Sequence, residues 1–229
     1  MIKGIDVSHH QRPATINYKA LAQTHGFVFV RATYGTTKDK ACADHVKRAR
    51  DAGLKVGLYH FYRQSRPADA QLAAFAEQAE LVKLGPGDLP PALDLEANTR
   101  WDGPPDPVRY GYASNILDAW EDQWGQFIVY TTQAFWHQMG KPARWLDGLL
   151  WVAHWGVKEP ATPGGEPWDF WQHKVSPLEG VYRHQLDQNV YQGETLPVLD
   201  GKAIDPIDAR LDALLEEMRP VLRKHLEAR

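Results

Sequence analysis

The sequence predicts an α/β protein: a single irregular β/α barrel of five β/α units plus three further strands, followed by a C-terminal helical extension. Three observations carry this reading. Short apolar runs rich in β-branched and aromatic residues alternate five times with helix-like stretches up to Thr132, a pattern that favours a parallel sheet. Three more strand-like runs follow with no long helix between them, and eight strands suit a closed barrel filled by its own side chains. The chain has 229 residues, enough for one barrel-sized domain. An open doubly wound sheet, the main alternative, needs helices among the last strands, where only short ones are legible.

Ile2–Val7 reads as the first strand. Tyr18–His25 follows as a short helix and Phe27–Ala32 as the second strand. Asp39–Ala52 is an amphipathic helix stopped by Gly53, and Val56–Tyr62 is the third strand. Ala68–Leu84 opens just after Pro67 and ends before Gly85, as a helix should. Pro91–Glu96 is the fourth strand, Pro107–Trp124 a helix stopped by Gly125, and Phe127–Thr132 the fifth strand. Short helices are expected near Gln133–Met139 and Ala143–Asp147. Leu149–His154, Trp168–His173 and Gln185–Asn189 complete the strands. Arg100–Pro107 and Val157–Pro167 are Pro- and Gly-rich loops. After Gly201 the chain changes character. Asp205 is placed to cap a helix with Pro206 at its first position, and Ile207, Leu211, Leu214, Leu215, Met218 and Leu222 form an apolar stripe. Residues 1–200 are therefore expected to form the barrel, with a helix in 201–229 packed back on it.

Net charge is −3 and no long basic run occurs, which argues against nucleic acid as a partner. No apolar stretch approaches the ~20 residues of a membrane span. The residues after Met1 lack the apolar region of a signal peptide, so action outside the cytoplasm is expected to need phage-type lysis or a specialised secretion route. The single cysteine, Cys42, excludes an intramolecular disulfide and reads as a packed residue rather than a catalytic one. A monomer is expected. Nine Trp, nine Tyr and seven Phe are many for this length. Some must fill the core, but Trp and Tyr also stack on sugar faces while their polar tips bond hydroxyls.

The chemistry concentrates at strand ends, where parallel barrels gather catalytic groups. On a strand, Asp94 and Glu96 point to one side and Leu93 and Leu95 to the other. Carboxylates one pleat apart sit roughly 7 Å or less from each other, from a rise of about 3.3 Å per residue. Partly buried, they repel when both are ionised, so one holds its proton near neutrality. An acid of that kind beside a carboxylate is what glycosidic cleavage requires. Asp6 at the first strand and Asp187 at the last join them, and these two strands are neighbours in a closed barrel. Any one strand-end acid is as readily a helix cap or loop anchor; four on one rim are harder to explain that way. Tyr34, Tyr59, His60, Phe61, Tyr62, Tyr130, Trp151, Trp155, Trp171 and Gln172 fall at the same ends. Singly each reads as packing; together they describe an acidic cleft walled by rings, suited to a polysaccharide.

The segments 6–11 (DVSHHQ), 31–36 (RATYGT), 57–61 (GLYHF) and 93–96 (LDLE) resemble glycoside hydrolase family 25, the muramidases also called lysozymes of the Chalaropsis type. Val129-Tyr130-Thr131, Leu150-Trp151-Val152-Ala153, Trp171-Gln172 and Leu186-Asp187 continue the match in order, over roughly residues 2–195. The resemblance implies hydrolysis of the β-1,4 bond between N-acetylmuramic acid and N-acetylglucosamine in peptidoglycan. It puts Glu96 on the general acid, Asp94 on its partner carboxylate, and Asp6 and Asp187 on two further acids of the cleft. Tyr59 and Tyr130 match positions lining the sugar site, and Tyr34, Phe61, Trp151, Trp171 and Gln172 are the further candidates for substrate contact. Arg12 stands where the family often has Gly, and Arg31 and Tyr34 where it often has Lys and Glu. No cofactor and no metal are expected.

In this reading Glu96 protonates the leaving oxygen, its pKa lifted to about 6 by burial and by the charge of Asp94. Asp94 acts as nucleophile, as base for water, or as the group that orients the substrate's own N-acetyl oxygen; the last is favoured, with retention of configuration. The rivals are a family 18-like chitinase, which resembles a longer Asp-rich motif that Pro90-Pro91-Ala92-Leu93 lacks, and a peptidoglycan-binding barrel without activity. A metal-dependent deacetylase would need His9 and His10 as a ligand pair, and adjacent side chains on a strand point opposite ways.

Overall fold

A computed structural model describes residues 1–200 of the chain. The expected C-terminal helix lies outside the described residues. Strands β1 (Ile2–Val7), β2 (Phe27–Tyr34), β3 (Thr37–Lys38), β4 (Lys55–Phe61), β5 (Ala92–Asp94), β6 (Ile128–Thr131), β7 (Leu149–Ala153), β8 (Phe170–Leu178) and β9 (Tyr182–Tyr191) form one sheet. Eight of them close a barrel in the order β1-β9-β8-β7-β6-β5-β4-β2, sealed by parallel pairing of β1 with β2. The short β3 lies outside the ring, antiparallel to the end of β2, and was not expected.

Each parallel strand is buried on both faces, which is why the runs read as continuously apolar rather than alternating. On β2, Val28, Val30 and Ala32 pack outward into the layer of helices, while Phe27 and Phe29 fill the barrel interior. Inside, Phe29 stacks on Trp151 at 4.3 Å and meets Phe170 edge-on at 5.2 Å. Two glycines make room for these rings. A Cβ on Gly4 would lie 2.4 Å from the Phe27 ring, and one on Gly57 2.6 Å from the Phe29 ring.

The helices are α1 (Tyr18–Leu21), α2 (Cys42–Asp51), α3 (Ala68–Val82), α4 (Thr99–Asp102), α5 (Pro107–Gly111), α6 (Ala113–Trp124) and α7 (Gln133–Gln138). Asn17 caps α1 by accepting the Ala20 N–H at 3.1 Å, and Asp106 caps α5, with Pro107 in its first turn. The expected helix over 107–124 is broken into two at Gly111-Tyr112, where glycine is a weak helix former. Gly125, at φ 71°, ends α6 as the sequence predicts. Cys42 is buried on α2, and burial pushes its thiol up to about 12, in keeping with a packing role.

One expectation about direction is corrected. β9 is antiparallel to both β1 and β8. A three-residue turn joins β8 to β9, and so short a link permits only a hairpin. Asp187 therefore does not sit at the carboxyl end of a parallel strand. It lies mid-strand on β9, directly opposite Asp6 in the β1–β9 ladder.

Candidate active site

The carboxyl ends of the parallel strands surround a cleft of about 330 Å³ that is lined by Asp6, Asp94, Glu96 and Asp187 together. Tyr59, Phe61, Tyr130, Trp151, Trp155 and Gln172 form its walls. The alternation expected for residues 93–96 holds: Leu93 and Leu95 are fully buried toward the helices, and the two acids face the cleft. β5 itself stops at Asp94, but the backbone beyond it stays fixed. The Leu95 N–H donates to the Tyr130 carbonyl at 2.9 Å, the Thr131 hydroxyl donates to the Leu95 carbonyl at 2.8 Å, and the Tyr110 hydroxyl donates to the Glu96 carbonyl at 2.6 Å. Glu96 is thereby held on a short, pinned segment with its carboxyl half-buried in the cleft.

Asp6 is the centre of a buried relay of hydrogen bonds. Gln172 Nε2 and Asn189 Nδ2 each donate to Asp6 Oδ2 at 2.8 Å. The Tyr130 hydroxyl donates to Gln172 Oε1 at 3.0 Å, and Trp151 Nε1 donates to Asn189 Oδ1 at 2.9 Å. Two walls of the cleft thus fix one carboxylate. Asp94 is different: it is 6% exposed, and its Oδ1 is buried without a hydrogen-bond partner. A buried acceptor left unmade costs free energy and is a natural seat for an incoming donor.

All four acids hold their protons more tightly than usual. Asp6 is pushed up to about 8, chiefly by burial and next by the charge of Asp187, against the pull of its two amide donors. Burial lifts Glu96 to about 7, with Asp187 as the contributing charge. Asp94 is raised by burial, then by Glu96 and Asp6, with Arg31 opposing; Asp187 is raised by burial. Near neutral pH the cleft therefore contains protonated acid beside carboxylate, the condition general acid catalysis needs.

Several expected wall residues are placed elsewhere. Trp171 is absent from the cleft because the pleat turns its neighbours Phe170 and Gln172 inward; its Nε1 donates to the His154 carbonyl at 2.8 Å. His60 and Tyr62 are buried on the outer side of β4, where His60 contacts Thr33 and Gln71, and burial holds the imidazole near 3. Tyr34 stands beside the cleft rather than in it. Its ring lies 4.8 Å from the Arg63 guanidinium and 5.0 Å from the Phe61 ring, and its hydroxyl accepts from Asn98. His9 and His10 lie in the turn after β1, so strand alternation does not govern them, and their rings are 4.1 Å apart.

Sequence reasoning assigned no role to Asn189, although it bonds Asp6 directly. Its signal is register: it lies two residues from Asp187 on the same strand face. Arg31, known in the sequence only as a departure from the family pattern, lines the cleft floor. Its Nε donates to Asp39 Oδ2 at 2.9 Å and its Nη2 to the His9 ring. Burial would raise Asp39, but the Ala41 and His9 N–H groups and the Arg31 charge outweigh it and hold the carboxyl below its usual range.

A closed barrel whose mouth carries tuned, paired acids between aromatic walls defines a glycoside hydrolase. The sequence profile of glycosyl hydrolases family 25 matches residues 5–179, and the chain belongs to that family. Among similar proteins, lysozyme M1 of Streptomyces globisporus is 30% identical over 216 residues, covering 86% of this chain and 70% of that protein. The crystal structure of a bacterial lysozyme from Streptomyces coelicolor superposes with a TM-score of 0.71 at 28% identity, over 84% of this chain and 92% of that one. A muramidase from Acremonium alcalophilum gives 0.72 at 26% identity, over 85% and 95%.

Proposed function

We propose that this family 25 muramidase cleaves the β-1,4 bond between N-acetylmuramic acid and N-acetylglucosamine in peptidoglycan with Glu96 as general acid and Asp94 as the group that orients the substrate's acetamido oxygen. The enzyme acts on the cell wall. Among the described residues no helix is long and apolar enough to cross a membrane.

The observation that carries the mechanism is the contrast between the two acids of the 94–96 pair. Glu96 is partly buried, lines the cleft and is pushed up to about 7, so it carries a transferable proton near neutrality. Asp94 is buried with Oδ1 unpartnered. An acetamido N–H delivered to that oxygen supplies the missing donor and favours the ionised carboxylate. The acetamido carbonyl oxygen then faces the anomeric carbon and attacks it as the leaving oxygen takes the proton from Glu96. Water opens the resulting ring, with Glu96 now accepting the proton, and the product keeps its configuration. Asp187 contributes negative charge beside the developing oxocarbenium ion, and Asp6, opposite it across the β1–β9 ladder, holds the Gln172 and Asn189 amides of the cleft wall in place. Tyr59, Phe61, Tyr130 and Trp151 present ring surfaces for the sugars.

Digestion of purified peptidoglycan followed by mass spectrometry of the fragments tests the reading. N-acetylmuramic acid at the new reducing ends is expected. Cleavage of chitin but not peptidoglycan would instead favour a chitinase. Tight binding without turnover would leave only a wall-binding barrel. An NMR time course in which the inverted anomer forms first would remove acetamido participation.

A further inference from the structure

The cleft continues into a second groove of different charge. Its volume is about 740 Å³, and it runs between the turn after β1 and the β8–β9 hairpin. His10 and Gln11 line both spaces, so the groove opens directly into the catalytic mouth. The cleft is lined by four acids; the groove is lined by none, and carries Arg12 and Arg183 instead. An adjoining hollow at the hairpin tip brings one acid, Glu179.

The two groove arginines have no carboxylate partner within the described residues. Arg31, Arg48, Arg50, Arg63, Arg109 and Arg144 each form an ion pair with an aspartate or glutamate. Among the described residues, Arg12 and Arg183 form none, as is also true of Arg66 and Arg100 outside the groove, and Arg183 instead donates from Nε to its neighbour His184 at 3.1 Å. Both are exposed. Burial, the adjacent His9 and Arg31 all lower the pKa of His10, so it brings little positive charge at neutral pH. The groove's cationic character therefore rests on the two guanidiniums, groups whose planar fork suits carboxylates.

We propose that this groove receives the stem peptide of the substrate, with Arg12 and Arg183 pairing with its free carboxylates. The proposal rests on the muramidase reading above, because the ligand is the peptide carried by that substrate. Each muramic acid carries a peptide on its lactyl group, and carboxylates recur along that peptide. Arg183 lies four residues from Asp187 along β9, about 13 Å or less at ~3.3 Å per residue. A peptide at about 3.4 Å per residue covers that span in roughly three to four residues. A glycan lying in the cleft thus places the acidic part of its stem against the basic wall of the adjoining groove.

The test compares soluble peptide-bearing glycan strands, free of phosphate polymers, with the same strands after their carboxyl groups have been converted to amides. Wild-type enzyme and the R12Q/R183Q double variant are assayed on both. Two exposed ion pairs support a change of several-fold. Wild type is expected to show kcat/KM about five-fold lower on the amidated strands, expressed in KM, while the double variant treats both strands alike at the lower value. Equal activity of wild type on both strands, or an equal loss by the variant on both, would overturn the proposal. Absence of cleavage by wild type on either strand would instead strike the muramidase reading itself.

Discussion

Replacing Asp6 with Asn should abolish a large part of the protein's loss of stability with rising pH. Asp6 is 7% exposed and its carboxyl is pushed up from 3.8 to about 8 by burial and by Asp187. The unfolded chain gives up this proton near 3.8, the folded chain only near 8. Between those values the folded state binds more proton, so stability falls as pH rises. The interval spans about four pH units, and at ~1.4 kcal/mol for each the full effect is about 6 kcal/mol. Some of it is the charge of Asp187, shared with the rest of the cluster, so about 2 kcal/mol is a conservative floor. Asn preserves the geometry: its carbonyl oxygen can accept from Gln172 and Asn189 as Oδ2 does. Urea unfolding of wild type and Asp6→Asn at pH 4.5 and pH 8 measures the quantity. The variant should gain at least ~2 kcal/mol over wild type between the two pH values. Parallel stability curves would refute a strongly raised acid at this position.

Four further outcomes are expected. Glu96→Gln keeps shape and removes the transferable proton, so kcat on peptidoglycan should fall by at least ~10²-fold; near-wild-type turnover would refute its role as acid. In wild type the alkaline limb of kcat/KM should fall as pH passes about 7, since only protonated Glu96 donates; a profile flat to pH 9 would contradict this. Asp94→Asn should also lose at least ~10²-fold in kcat, while Tyr130→Phe, which removes only the donor to Gln172, should lose less than ~10-fold; steady-state kinetics separate the two. Gly57→Ala drives a methyl into the Phe29 ring and should lower stability by ~1–3 kcal/mol in thermal unfolding.

The barrel was legible because apolar runs and helical stretches alternate at regular spacing, and buried parallel strands leave an uninterrupted apolar signature. Asp94 and Glu96 were legible because their grouping depends only on the period of two, which the structure keeps even where β5 has ended. What escaped was long-range. The direction of β9 depends on the link after β8, and the periodicity of a strand carries no sign of which way it runs. Trp171 and Gln172 are adjacent, and which of them faces inward is fixed by pairing with β7 and β9 rather than by their own composition. Asn189 joins Asp6 only through closure of the ring, across a sequence separation that no local pattern reports. Tyr34 was drawn from the cleft by Arg63 and Asn98, partners that loops deliver.

The reversal of β9 also decides where the polypeptide leaves the barrel. Having passed the acids, the chain travels away from them and ends its strand beside Ile2, at the opposite end of the ring. Leu196 and Val198 pack against the interior core there, and Leu199 exchanges backbone hydrogen bonds with Gly87 and Asp88. The described part of the chain thus finishes at the base of the barrel, on the side away from the carboxylates.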